Sequence, residues 1–204
     1  MSNDAQSTAT LDRGDSEQVA LTTTYVLIDG ENLDTTLGSS ILGRRPAPEE
    51  RPRWEKVLRF AEAHWGQPVK VLFFLNASSG TLPLPFIQAL VAIGIQPIPL
   101  SGPADVKVVD VGIQRMFEAI AGHSGDVILG SHDGDFLPQV TDLLERDRQV
   151  GVLAFREFLN VGYLDLVERG LEILDLESDA RCFNSVLPRL RIIDLATFDA
   201  TAFL

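Results

Sequence analysis

Aspartate recurs at the ends of the apolar runs of this chain, and aspartate is the side chain best suited to hold a hard divalent cation. Asp29-Gly30-Glu31-Asn32 follows one such run, and Gly130-Ser131-His132-Asp133-Gly134-Asp135-Phe136 follows another. Asp105 and Asp110 lie after a third. Carboxylates brought together repel: two unit charges 4 Å apart cost roughly 4 kcal/mol at an effective dielectric near 20. Protonation or a bound cation relieves that repulsion. Mg²⁺ or Mn²⁺ would lower the pKa of a bound water and support in-line attack on phosphorus. Each residue also has a plainer role open to it. Asp110 and Asp135 fit helix N-caps, and Gly30 and Gly134 fit tight turns.

Apolar runs place these residues. TTTYVLID (22–29), VKVLFFLN (69–76), IQPIPL (95–100), DVILGS (126–131) and QVGVLAF (149–155) read as buried strands. The two prolines of the third suggest an edge position. Helical spacing occurs in 54–65, 84–93, 107–121 and 136–147, with Gly94 a C-terminal cap and Pro138 in a first turn. Segment 156–176 reads as helical and then extended at LEILDL. Strands alternating with helices predict a doubly wound α/β domain, a mainly parallel sheet with helices on both faces, whose functional crevice lies beyond the carboxyl ends of the strands. The expected organisation is a disordered tail over 1–22, one domain over 23–176 and a C-terminal extension over 177–204 that packs on it. Phe198, Phe203 and Leu204 are candidates for docking onto the body or onto a second copy in a homodimer.

Three motifs resemble those of the NYN domain family, a branch of the PIN-like nuclease superfamily. VLIDGENL (26–33) is similar to a strand followed by Asp-x-x-Asn. Lys107-Val108-Val109-Asp110 resembles Lys-Gly-x-Asp at the start of the middle helix. GSHDGDF (130–136) resembles Ser-Gly-Asp-Ser-Asp-Phe after strand four, with His132 in place of the glycine. The motifs stand in family order across about residues 24–155. The resemblance implies strand order 3-2-1-4-5, with Asp29 brought close to Asp133. It also implies Mg²⁺- or Mn²⁺-dependent cleavage of RNA, with Asp29, Asp110, Asp133 and Asp135 as catalytic metal ligands. Asn32, Ser131, His132 and Lys107 are the substrate-side candidates, with a structural or exposed histidine as the competing role for His132. Where many members carry a further aspartate after the Lys-Gly-x-Asp acid, this chain has Met116. A non-catalytic relative binding RNA or a protein partner is the alternative.

Arg44, Arg45, Arg51 and Arg53, in a segment (38–53) whose Pro, Gly and Arg content reads as a loop, followed by Lys56 and Arg59, form the densest basic stretch. Arg44 and Arg45 are candidates for RNA phosphates. Pairing with Glu49 and Glu50 is the competing role. A net charge of −12 argues against a protein that coats nucleic acid generally, though not against a nuclease. The single cysteine, Cys182, rules out an intrachain disulfide and a cysteine zinc site. His64, His123 and His132 form no metal box. The chain has no Gly-x-Gly-x-x-Gly, Walker or Gly-x-Ser-x-Gly signature, and Asp29-Gly30-Glu31 lacks the second acid of a phosphatase-type Asp-x-Asp. There is neither a membrane-length apolar run nor a secretory h-region, so a cytoplasmic protein is expected.

Overall fold

The computed structural model describes residues 22–188, 195–196 and 198–203. Six strands, all parallel, form one sheet: β1 (Thr24–Asp29), β2 (Val69–Asn76), β3 (Gln96–Leu100), β4 (Asp126–Gly130), β5 (Val150–Ala154) and β6 (Glu172–Asp175), in the order β3-β2-β1-β4-β5-β6. The order 3-2-1-4-5 holds, and LEILDL supplies the sixth strand at the far edge. β3 takes the other edge and pairs only with β2. Pro97 and Pro99 have no N–H to donate, so an outer position suits them.

Successive side chains of a strand face opposite sides, and the core divides accordingly. Val26 and Ile28 of β1 point to the layer built by α1 (Gly30–Thr35), α2 (Trp54–His64) and α3 (Leu84–Ala92). Leu27 points to the layer of α4 (Val108–Ala121), α5 (Leu137–Glu145) and a 3₁₀ run, Val161–Arg169. All three β1 residues are fully buried. Helices lie on both faces, as a continuous apolar central strand requires. The chain beyond β6 also reaches the first layer: Ala180, Cys182 and Leu187 are buried against it.

The 38–53 segment departs from the expected loop. Residues Thr36–Leu42 extend α1 as a π-helical run, which ends at Gly43 with φ 65°. Left-handed backbone is open to glycine without steric penalty, so the helix stops there. Residues 1–21, nearly all of the expected tail, and Leu204 lie outside the described residues. Phe198 is half-exposed. Among the described residues no helix is long and apolar enough to cross a membrane.

Gly30, at the turn from β1 into α1, is fixed by close approach. A Cβ there would lie 2.3 Å from Phe73 Cε1 and 3.3 Å from the Phe74 carbonyl oxygen. Phe73 cannot yield, because Trp54 and Phe86 pack edge-on against it with ring centroids 4.8 and 5.3 Å away. Alanine gains up to ~1 kcal/mol of helix propensity over glycine, whereas overpacking a core costs roughly 1–3 kcal/mol. Gly30→Ala is therefore expected to destabilise the protein by about 1–2 kcal/mol in urea unfolding. A stabilised variant would show that the turn has slack.

Candidate metal centre

The carboxyl ends of β1 and β4 lie side by side, with Ile28 opposite Gly130, so the residues that follow each strand share one rim. Asp29 closes β1 and caps α1: its Oδ1 accepts the Asn32 backbone N–H at 3.1 Å, and its Oδ2 accepts the Ser131 hydroxyl at 3.1 Å. Ser131 Oγ in turn accepts the Asp133 N–H at 3.2 Å, and Asp133 Oδ1 accepts the Asp135 N–H at 2.9 Å. Asp110 reaches the same place from the first turn of α4. Asp110, Asp133 and Asp135 each present a carboxylate oxygen within 4.8 Å of the others. Asp29 is not one of this triple. It lines the adjoining cleft together with Glu31, Asn32, Asp105, Lys107, Asp110 and Asp133.

The donor set suits a hard divalent cation. All three donors are carboxylate oxygens, and Asp110 Oδ2 is buried with no hydrogen bond of its own. Its near neighbour is Lys107 Nζ at 3.2 Å, a charge contact off the hydrogen-bond axis. The same ammonium donates to Asp135 Oδ2 at 2.9 Å. That bond first, and the Asp110 contact second, hold the lysine well above its usual range.

Burial pushes the Asp29 carboxyl up to about 6 against its two hydrogen bonds, and Asp110 and Glu31 add repulsion. Glu31 is raised too, first by desolvation and then by Asp110. It is a further acid at this cleft that the sequence did not single out, although it stands between Asp29 and Asn32. Gln114 was also missed. It lies one turn after Asp110 on the same helix face, and its Nε2 donates to the Asp135 carbonyl at 3.4 Å. Spacing of i, i+4 was the available signal. Met116 packs with the Leu27 layer instead.

His132 takes a structural place. Its ring is buried, and burial lowers its pKa to about 4. Nε2 accepts the Phe155 N–H at 2.9 Å, so the proton sits on Nδ1, which donates to Asn32 Oδ1 at 2.9 Å. Asn32 Oδ1 also accepts the His132 backbone N–H at 2.8 Å. With both nitrogens engaged, neither the ring nor the Asn32 oxygen is free to meet a phosphate; they join the ends of β1, β4 and β5. Ser131 is fully buried and fulfils a similar bridging role. Asn160 and Tyr163 brace the loop from the other side. The Asn160 N–H donates to the His132 carbonyl at 3.2 Å, and the Tyr163 hydroxyl donates to the Asp133 carbonyl at 2.6 Å.

Three of the six cations of the basic stretch are paired. Arg44 forms a two-pronged contact with Glu50, at 2.7 and 2.6 Å, and Arg51 binds Asp34 at 2.7 Å. Lys56 Nζ donates to the Phe183 carbonyl and to Asn184 Oδ1, both at 3.1 Å. Arg45 is exposed and makes no ion pair among the described residues.

A doubly wound parallel sheet in this order, with acids gathered over β1 and β4, is the architecture of a PIN-like nuclease. The family model described as the NYN domain matches residues 23–163, more than half of the chain. The chain belongs to the NYN domain family, within the PIN-like nuclease superfamily. No curated protein matches it.

Asp29 and His132 oppose each other in pH dependence. The native state holds the Asp29 proton more tightly than the unfolded chain, up from 3.8 to about 6. The stability this gives is complete below pH 4 and disappears as pH rises to 6, an effect on the order of 3 kcal/mol. His132 is depressed from 6.5 to about 4, so its contribution is complete above pH 6.5 and is lost as pH falls toward 4. The two slopes overlap and offset one another. In metal-free protein, the stability of Asp29→Asn relative to wild type is expected to climb between pH 4 and 6, by up to about 1.4 kcal/mol per unit. Urea titrations across that range in chelator measure it, and a constant difference would refute the raised pKa.

Proposed function

We propose that this protein is a metal-dependent ribonuclease, an endonuclease that hydrolyses RNA phosphodiester bonds in the cytoplasm. The observation that carries the proposal is the convergence of Asp110, Asp133 and Asp135, with one buried oxygen of Asp110 lacking a hydrogen bond. Family membership supports it, since NYN domains are generally nucleases and PIN-like nucleases use divalent metals. Asp110, Asp133 and Asp135 would hold Mg²⁺ or Mn²⁺, and Asp29 would join them from the cleft wall once ionised. When bound, such an ion supplies charge neutralisation at phosphorus and an activated water.

The remaining work belongs to side chains. Asn32 and His132 keep the Asp29 and Asp133 segments in register. Ser131 Oγ, donating to Asp29 and accepting from Asp133, fixes the direction of both. Within the basic stretch Arg44 is engaged by Glu50, so contact with the RNA backbone falls to Arg45, with Lys107 nearer the acids.

The second candidate is a non-catalytic NYN module that binds RNA or a protein partner. Gln114 on the face of α4 beside Asp110, and Met116 packed half-buried against the core, favour it by leaving the acid set thin. One pair of measurements separates the two. Asp110→Asn should lower Mn²⁺-dependent cleavage of single-stranded RNA by about 100-fold or more, at or beyond the upper end of the 10- to 100-fold loss typical of an outer-shell partner. Its thermal unfolding in chelator should match or exceed wild type, because one repelling charge is gone. Full activity in the variant removes the assigned centre. A wild type that cleaves nothing across a broad RNA panel with Mg²⁺ or Mn²⁺ leaves the binding module.

A further inference from the structure

Lys107 places its ammonium between two of the three converging carboxylates, 2.9 Å from Asp135 Oδ2 and 3.2 Å from Asp110 Oδ2. Asp110 Oδ2 has no hydrogen-bond partner and is shielded from water, so this cation is its compensation. The lysine is not locked in place. Its side chain is 68% exposed, and no other hydrogen bond or ion pair of its ammonium occurs among the described residues. It stands immediately before the first turn of α4, at the positive end of a 14-residue helix, where a positive charge is otherwise mildly unfavourable.

We propose that Lys107 is a built-in counter-cation of the carboxylate cluster, which a divalent cation must displace in order to bind. The inference rests on the metal centre proposed above and adds a device to it. An ammonium and a doubly charged ion at contact distance from the same oxygens repel strongly, whereas the exposed four-carbon stem can swing into solvent at little cost. Without metal, the lysine holds together Asp110 and Asp135, which would otherwise push apart. With metal, it leaves. Metal affinity is then set partly by the chain's own competing charge, and the released ammonium comes free beside the cleft. Ion pairs this exposed are individually weak, so the opposition is modest, a factor of about three to ten.

The test uses full-length protein and Mn²⁺ alone, titrated calorimetrically and by the loss of the free-ion paramagnetic resonance signal. Lys107→Met should bind Mn²⁺ about three- to tenfold more tightly than wild type. Lys107→Arg keeps the charge and should stay within about twofold of wild type. Thermal unfolding gives a second readout, independent of RNA cleavage. In chelator, Lys107→Met should melt below wild type, and saturating Mn²⁺ should abolish that difference. If the lysine were merely a solvated residue at a helix start, its removal would leave melting unchanged or slightly raised. Equal or weaker Mn²⁺ binding by Lys107→Met, with wild type binding normally, overturns the displacement and leaves the metal centre intact. Absence of Mn²⁺ binding in wild type and variant alike overturns the metal centre, and the lysine's role with it.

Discussion

One buried imidazole ties the working edge of this protein together. His132 donates through Nδ1 and its backbone N–H to Asn32, just after β1, and accepts at Nε2 from Phe155, just after β5. Its own carbonyl receives the Asn160 N–H. The ring lies nearly parallel to Phe155, which stacks in turn on Phe183. A buried polar group without partners is costly, so this one, fully engaged, admits little variation in how three strand ends meet. The family motif has glycine at this position. Histidine here replaces backbone freedom with a specific set of bonds, and the positions of Asp133 and Asp135 follow from it.

The carboxylates at that edge are accommodated by three separate means. Asp29 takes donors from Asn32 and Ser131 and still titrates near pH 6, because desolvation outweighs both bonds. Asp133 serves as a turn acceptor for Asp135. Asp110 and Asp135 rely on Lys107. Each device is compatible with an aspartate at a strand or helix end in any protein. What distinguishes this rim is convergence: Asp133 and Asp135 from the turn after β4 and Asp110 from the start of α4 reach one point, and Asp29 lines the cleft beside them.

The domain does not end with the family match at residue 163. The 3₁₀ run Val161–Arg169 places Tyr163 under the Asp133 carbonyl, and β6 completes the sheet. After β6 the chain turns at Asp175, whose carboxylate accepts the N–H groups of Glu177 and Ser178, and then crosses to the α2 layer. There the Cys182 carbonyl accepts the Arg53 N–H at 2.7 Å, immediately before α2 begins. The C-terminal segment thereby fixes the start of the helix that follows the basic stretch.

Much of the architecture could be read from local pattern. Apolar runs of strand length, the helical spacing between them and the prolines of β3 specified the parallel sheet and its edge, because burial on both faces leaves no room for polar residues in a central strand. The ordered motifs specified which strands stand together, and hence that acids after β1 and β4 share a rim. Partners across the fold were decided only by tertiary structure. Spacing cannot say that His132 would turn inward between Asn32 and Phe155, or that Lys107 would reach Asp135 as well as Asp110. Glu31 and Gln114 join the site for the same reason: a side chain's role at a crowded rim depends on which hydrogen-bonding groups and charges other segments bring within about 3 Å of it, and those segments lie far away in sequence.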